Sequence, residues 1–271
     1  MPKVQANGIF INYEVRGEGE PLLLLHGLGA SWKMWVPQID YLSRYFKLIM
    51  IDMRGHGQTS KYFPNNKYNT LLLAEDIKFF LDALGIKKVN MLGVSQGAVV
   101  AQLFAIKNSS YIKKLILSNS YSEIPTKLSK WVLGASNLVI QALPYNTVVE
   151  LMLKVYKNDE YTKKILRNSF SFDKKMLLSA KKSTFPTHTS ELTHISCSTL
   201  VMGGNQKVMG VDEKKASQII FNQIPNATLA LFSDAFDPLS TMKKDIFNEM
   251  VMCFITDNDF KSYPNVQFFY H

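Results

Sequence analysis

Short, unbroken apolar runs alternate along this chain with segments of helical period. Residues 21–25, 47–51, 89–92 and 114–118 are each four or five residues of mostly Leu, Ile, Val and Met. Runs of that length suit strands buried on both faces of a sheet. Between them, residues 35–42 and 96–107 read as helices. So does 71–84, where Leu73, Ile77, Phe80, Leu81 and Leu84 share one face and Gly85 ends the period. Residues 4–15 form a hairpin around Asn7-Gly8, followed by a turn at Gly17 and Gly19. Strands alternating with helices at this spacing imply βαβ units, a mostly parallel sheet and right-handed crossovers.

The pattern changes after Ser120. Residues 123–186 contain no core strand, and Trp131, Leu138, Leu143, Val148, Met152 and Val155 recur at helical spacing. The sheet pattern returns with strands at 199–202 and 228–232 and helices at 213–221 and 240–255. The expected organisation is an α/β core of residues 1–122 and 190–256, interrupted by a helical lid over 123–189. Residues 257–271 form a C-terminal tail that the pattern leaves without a place.

Composition adds little. Of 271 residues, 46% are hydrophobic and 20% charged, as in an ordinary globule that can bury a sizeable core. The net charge of +9 comes from scattered lysine pairs such as Lys87-Lys88 and Lys181-Lys182, with no basic stripe, so no nucleic-acid partner is expected. Cys197 and Cys253 stand alone and read as free thiols, and no His or Cys spacing fits a metal. The first residues lack a signal-peptide core and no run is long enough to span a membrane; the expectation is a cytoplasmic protein.

Three motifs carry chemistry. Gly93-Val94-Ser95-Gln96-Gly97 follows a strand and opens a helix, the context that turns G-x-S-x-G into an elbow projecting Ser95 above the sheet. His26-Gly27-Leu28-Gly29 follows the strand at 22–25, and a Gly-rich turn there leaves backbone N–H groups facing the elbow. An acyl-transfer site needs such donors, so Leu28 and Gln96 are the expected oxyanion pair, with Gly27 lining the substrate site. The third motif is residues 52–60, Asp52-Met53-Arg54-Gly55-His56-Gly57-Gln58-Thr59-Ser60.

With these three motifs in this order, nearly the whole chain resembles the α/β-hydrolase superfamily. It is most similar to the lid-bearing branch that includes esterases, enol-lactonases, proline iminopeptidases, haloperoxidase-like enzymes and C–C bond hydrolases. The resemblance implies a mostly parallel central sheet with helices on both faces and a helical lid, and a structural turn at residues 52–60. It also implies a triad in the order Ser, acid, His. Here the sequence departs from the family. The acid position, in a G-x-x-D turn, falls on Lys207 of Gly204-Asn205-Gln206-Lys207. The histidine position falls on Asp237 of Asp234-Ala235-Phe236-Asp237. The five histidines, His26, His56, His188, His194 and His271, lie elsewhere. An ion pair between Lys207 and Asp237 is expected to replace the acid–imidazole pair. Asp212 reads as an acid at a helix start, and Asn119 as a loop hydrogen-bonding residue near the site.

Two functions follow. The first is a serine hydrolase acting on small carboxylic esters or lactones. Ser95 is its nucleophile, Leu28 and Gln96 its oxyanion donors and Trp131 a lid residue near substrate, with weak or atypical turnover. The sequence leaves the base unidentified, either Asp237 or water, and an aspartate is ordinarily a far weaker base than imidazole. The alternative is an inactive scaffold that binds a small apolar ligand between lid and sheet. Neither needs a cofactor, and the sequence assigns no oligomeric state.

Overall fold

The computed structural model describes residues 2–123, 127–183, 187–208 and 211–271, without the side chains of 127–134, 182–183 and 208. The strands are β1 (Lys3–Ala6), β2 (Ile9–Arg16), β3 (Glu20–Leu25), β4 (Phe46–Ile51), β5 (Val89–Val94), β6 (Ile112–Ser118), β7 (Ser198–Gly204), β8 (Lys207–Val208), β9 (Val211–Asp212), β10 (Ala227–Phe232) and β11 (Val266–Tyr270). The helices are α1 (Val36–Leu42), α2 (Thr70–Ala83), α3 (Gln96–Lys107), α4 (Lys127–Ala142), α5 (Tyr145–Leu153), α6 (Glu160–Ser169), α7 (Lys174–Ser183), α8 (Glu213–Gln223), α9 (Leu239–Met242) and α10 (Lys244–Ile255).

One nine-stranded sheet runs in the order β1-β2-β4-β3-β5-β6-β7-β10-β11. From β4 to β10 every pairing is parallel, while β1, β2 and β11 are antiparallel to their neighbours. The apolar runs explain the centre. In β3, Leu23 and Leu25 enter one core, with α2 and α3, while Leu22 and Leu24 enter the other, with Trp35, Leu42 and Phe247 of the opposite helical layer. A strand covered on both faces must be apolar at every position, which is why these segments read as runs and not as alternation.

The α4–α7 segment sits between β6 and β7 and packs into the first of these cores through Ile140, Val148, Val149, Leu153, Leu166 and Leu177. Its α6–α7 linker is tied to the loops that leave β3 and β4. Ser31 Oγ donates to the Ser169 carbonyl at 2.8 Å, Ser171 N–H to Gly29 O at 2.8 Å, and Gly57 N–H to Ser171 O at 3.1 Å.

Two features differ from the sequence reading. Residues 257–271 are not an appendage: β11 pairs antiparallel with β10, Leu229 opposite Phe269, and extends the sheet. Its Val-Gln-Phe-Phe-Tyr sequence is rich in strand-forming residues but too short to show a period. The helix expected over 240–255 is broken at Lys243, which has extended φ of −127° and ends α9 before α10 begins.

Candidate functional site

The site lies where β5 meets α3. Ser95 has φ 54° and ψ −119°, a conformation that L-residues adopt only under constraint, and its side chain is partly open to solvent. The constraint is close packing on either side. A Cβ on Gly97 would overlap the Leu25 carbonyl oxygen, and one on Gly93 would strike the Gly97 backbone. Only glycine lets α3 start this near β3, and that approach lifts Ser95 out of the sheet.

The loop after β3 lies against the elbow: a Cβ on Gly27 would stand 3.6 Å from Ser95 Cβ. Among the described residues, neither the Leu28 N–H nor the Gln96 N–H has an acceptor. The loop is held from beneath by His26. Its Nδ1 bonds Gly27 O at 2.8 Å and its Nε2 accepts the Met53 N–H at 3.0 Å, which fixes the neutral imidazole with the proton on Nδ1. Burial, only partly opposed by the bond to Gly27, lowers the His26 pKa to about 4. His56 stacks edge-on against it at 4.9 Å, and burial lowers its pKa to about 3. Both rings are structural pins between the first two loops. Asp52 serves the same purpose, accepting from Trp32 N, Asn12 Nδ2 and Gln58 N at 2.8–2.9 Å.

Across from Ser95 stands Asp237, at the end of the loop that leaves β10. The Ser95 hydroxyl lies beside its carboxyl and favours the charged form. Desolvation and then the negative charge of Glu213 push the Asp237 pKa up to about 7, with the serine contact opposing. The Asp237 main chain is fixed on both sides. Its N–H donates to Glu213 Oε1 at 3.0 Å, and its carbonyl accepts the Tyr156 hydroxyl at 2.8 Å. Tyr156, which follows α5, also stacks on Phe236 with ring centroids 5.4 Å apart. Burial and the nearby Asp237 charge raise the Tyr121 pKa to about 12 and keep both phenols neutral.

Lys207 does not join this group. It is 77% exposed and its partner is Asp212, at 3.9 Å, across the small β8–β9 ribbon. The expected Lys207–Asp237 ion pair is therefore absent. The ribbon reverses the chain after Gly204 and turns Lys207 outward, toward water, where an ammonium is best solvated. The acid next to Asp237 is Glu213, the first residue of α8, which the sequence reading passed over. A run of two acids at a helix start reads as capping, and Asp212 is indeed the cap, accepting from Lys215 N at 3.0 Å. Glu213 instead points inward. Trp131 lies in α4, with its side chain outside the described residues.

The remaining imidazoles are engaged elsewhere. His188 is buried against Gln102 Oε1 at 2.9 Å, and His194 is exposed. His271 stacks on Phe221 at 4.2 Å, at the β11 edge of the sheet. A separate groove of about 260 Å³, lined by Asn205, Lys214, Ser233, Asn265 and Gln267 among others, contains no acid, thiol or imidazole. Among the described residues no group of His, Cys, Asp and Glu could hold a metal, and no helix is long and apolar enough to cross a membrane.

The sheet order, the elbow and the loop motifs define an α/β-hydrolase fold. The sequence profile of the alpha/beta hydrolase fold matches residues 20–147. Over 211 residues the chain is 25% identical to 3-oxoadipate enol-lactonase 1 of Acinetobacter baylyi, covering 73% of this chain and 76% of that protein. It is 34% identical to human Epoxide hydrolase 4 over 119 residues, 43% of this chain but only 33% of the relative's length. In three dimensions, the enol-lactonase from Burkholderia xenovorans LB400 superposes with a TM-score of 0.83 at 21% identity, over 94% of this chain and all of that one. The chain has the α/β-hydrolase fold, and the family profile covers its first part, residues 20–147.

Proposed function

We propose that this protein is a hydrolase of small carboxylic esters or lactones in which Ser95 is the nucleophile and Asp237 takes the part of the general base. The observation that carries this reading is the half-buried Asp237 carboxyl facing Ser95, with a pKa raised to about 7. Serine is a poor nucleophile until a base accepts its proton. A base is most useful when its pKa lies near the working pH, and an aspartate at its ordinary value near 3.9 would be too weak. Burial supplies the correction.

In the proposed cycle the Ser95 Oγ bonds to the acyl carbon as its proton passes to the Asp237 carboxylate. The carbonyl oxygen becomes an oxyanion, held by the unpaired Leu28 and Gln96 N–H groups beside Gly27. The bond to the leaving alkoxide breaks and Asp237 returns the proton to it. Water then attacks the acyl-serine, again giving its proton to Asp237, and Ser95 leaves with that proton as the carboxylic acid departs. Alcohols are better leaving groups than amines, which favours esters and lactones over amides. The α4–α7 segment acts as a lid, and Trp131 and Tyr156 belong to its share of the site. Names of relatives such as enol-lactonase are consistent with the substrate class.

The test is hydrolysis of p-nitrophenyl acetate and a small γ-lactone by the purified protein and by Ser95→Ala, from pH 5 to pH 9. The expected result is slow turnover that requires Ser95 and rises with pH through a midpoint near 7. Equal background rates for both proteins would overturn the hydrolase and leave a ligand-binding scaffold.

A further inference from the structure

Glu213 is buried, with 7% of its surface exposed, and the cycle above gives it no step. Three N–H donors nevertheless converge on it. Oε1 accepts from Asp237 N at 3.0 Å, and Oε2 accepts from Asn119 Nδ2 at 3.0 Å and Gly204 N at 3.2 Å. These donors come from the ends of β10, β6 and β7, three strands adjacent in the sheet. Asn119 is itself held in a left-handed conformation, φ 51°, and its Oδ1 accepts from Ser118 Oγ at 2.7 Å and Leu239 N at 3.2 Å.

Burial raises the Glu213 carboxyl too, but the three N–H bonds it accepts oppose that rise, whereas among the described residues Asp237 has the Ser95 hydroxyl alone as a side-chain donor. Two carboxyls this near each other do not both ionise freely. The charge settles on Glu213 and the exchangeable proton on Asp237. Among the described residues no cation stands against Asp237 to cancel the effect. Among the described residues, the groups that face Asp237 are Ser95 from the elbow, Tyr121 after β6, Tyr156 from the helical segment and Glu213 from α8. On the loop after β10, Lys243 is engaged by Asp234 at 2.6 Å, and Lys207 lies out at Asp212.

We propose that Glu213 is the positioning residue of this site: it fixes Asp237 opposite Ser95 through the main chain and, as a neighbouring like charge, makes that aspartate a stronger base. Ser95, Asp237 and Glu213 then form a carboxyl-based line in which the second acid strengthens the base by repulsion, where an acid beside imidazole would do so by attraction. The inference rests on reading Asp237 as the base.

The experiment compares wild type with Glu213→Gln and Glu213→Asp by two readouts. One is the titration midpoint of the Asp237 carboxyl, followed by 13C NMR of aspartate-labelled protein and assigned with Asp237→Asn. The other is the pH profile of ester hydrolysis. Glu213→Gln keeps the shape and removes the charge. Its Asp237 midpoint is expected to fall from near 7 by at least about one pH unit, with the rising limb of kcat moving by the same amount and KM unchanged. Glu213→Asp keeps the charge but shortens the reach, so the midpoint stays raised while kcat falls about tenfold.

An Asp237 midpoint near 4 in wild type, or one that Glu213→Gln leaves in place, overturns the proposal. If wild type shows no Ser95-dependent turnover, the hydrolase reading fails, and the NMR midpoints still decide what Glu213 does to Asp237. If Glu213→Gln does not fold, a midpoint near 4 in wild type or Glu213→Asp overturns the proposal, and raised midpoints in both support it.

Discussion

The main-chain N–H of Asp237 donates to the side chain of Glu213 at 3.0 Å, so the residue facing the nucleophile is anchored by a second carboxyl. That arrangement has a thermodynamic cost that pH exposes. Burial and Glu213 raise the Asp237 pKa to about 7 in the folded protein, against about 3.9 in an unfolded chain. Between those values the folded state binds the proton and the unfolded state does not. Stability is therefore fully present below pH 4, falls as pH rises through the window, and levels off above 7. Asp237→Asn removes the titration. It is expected to raise the free energy of unfolding, measured by urea titration, at pH 8 relative to wild type by about 1.4 kcal/mol for each pH unit of the window, and to change little at pH 4. An equal effect at both pH values would mean that Asp237 is not the group holding the proton.

Asp237→His places an imidazole where the family has one, with Glu213 already beside it to orient the ring. Lys207 needs no change, because it lies outside the site at 77% exposure. The single variant is expected to raise Ser95-dependent ester hydrolysis at pH 7.5 by about tenfold, a fraction of the roughly 10²–10⁴ that a positioned general base contributes over none, because Asp237 already supplies part of it. Adding Lys207→Asp should change this by less than about twofold. A large further gain from Lys207→Asp would put the acid position back in the loop after β7 and displace Glu213.

How far the sequence carried this site depends on whether the determinants were local. Ser95 and its two glycines form a five-residue unit whose strand and helix are visible on either side, and the Gly97 approach to Leu25 follows from that local geometry. The glycine-rich turn around Leu28 was legible for the same reason. Glu213 was not. Its role depends on donors from Gly204, Asn119 and Asp237, which are separated by up to 118 positions and meet only because β6, β7 and β10 are neighbours. Lys207 was misplaced because a family alignment carries residue positions but not the direction of the β8–β9 ribbon. The tail was missed because an edge strand such as β11 is specified by its partner, β10, more than by its own five residues.

Arg54 and Asp76 form a buried bidentate pair, with Nε to Oδ2 at 2.7 Å and a terminal nitrogen to Oδ1 at 2.6 Å, each side chain 3% exposed. Asn7 Nδ2 adds a third bond to Asp76 at 2.7 Å. Arg54 belongs to the motif after β4 that supports His26 and hence the Leu28 loop. Removing one partner strands the other charge. Asp76→Asn and Arg54→Met are each expected to destabilise the protein by about 3–5 kcal/mol, whereas replacing both with apolar residues should recover much of the loss. Thermal or urea unfolding of the two single variants and the double variant checks this, and additive losses would contradict a coupled pair.

Gly97→Ala tests the elbow without touching a polar group. The added methyl would overlap the carbonyl of Leu25 and crowd that of His26, both backbone atoms that cannot step aside as a side chain tip could. Relief requires moving α3 away from β3, which would flatten the turn that gives Ser95 its φ of 54°. Overpacking of this kind costs typically 1–3 kcal/mol and more where backbone must shift. The variant is expected to lose at least about 3 kcal/mol of stability, and any Ser95-dependent hydrolysis in the folded fraction should fall more than tenfold, because the nucleophile and the Gln96 N–H move together. Gly85→Ala supplies the contrast. A Cβ there meets nothing within 4 Å, so only the strain of φ 67° at a helix end opposes it. It should cost about 1–2 kcal/mol and leave the pH profile of hydrolysis unchanged. If Gly97→Ala behaved like Gly85→Ala, the close packing of α3 on β3 would not be what holds Ser95 in its raised position.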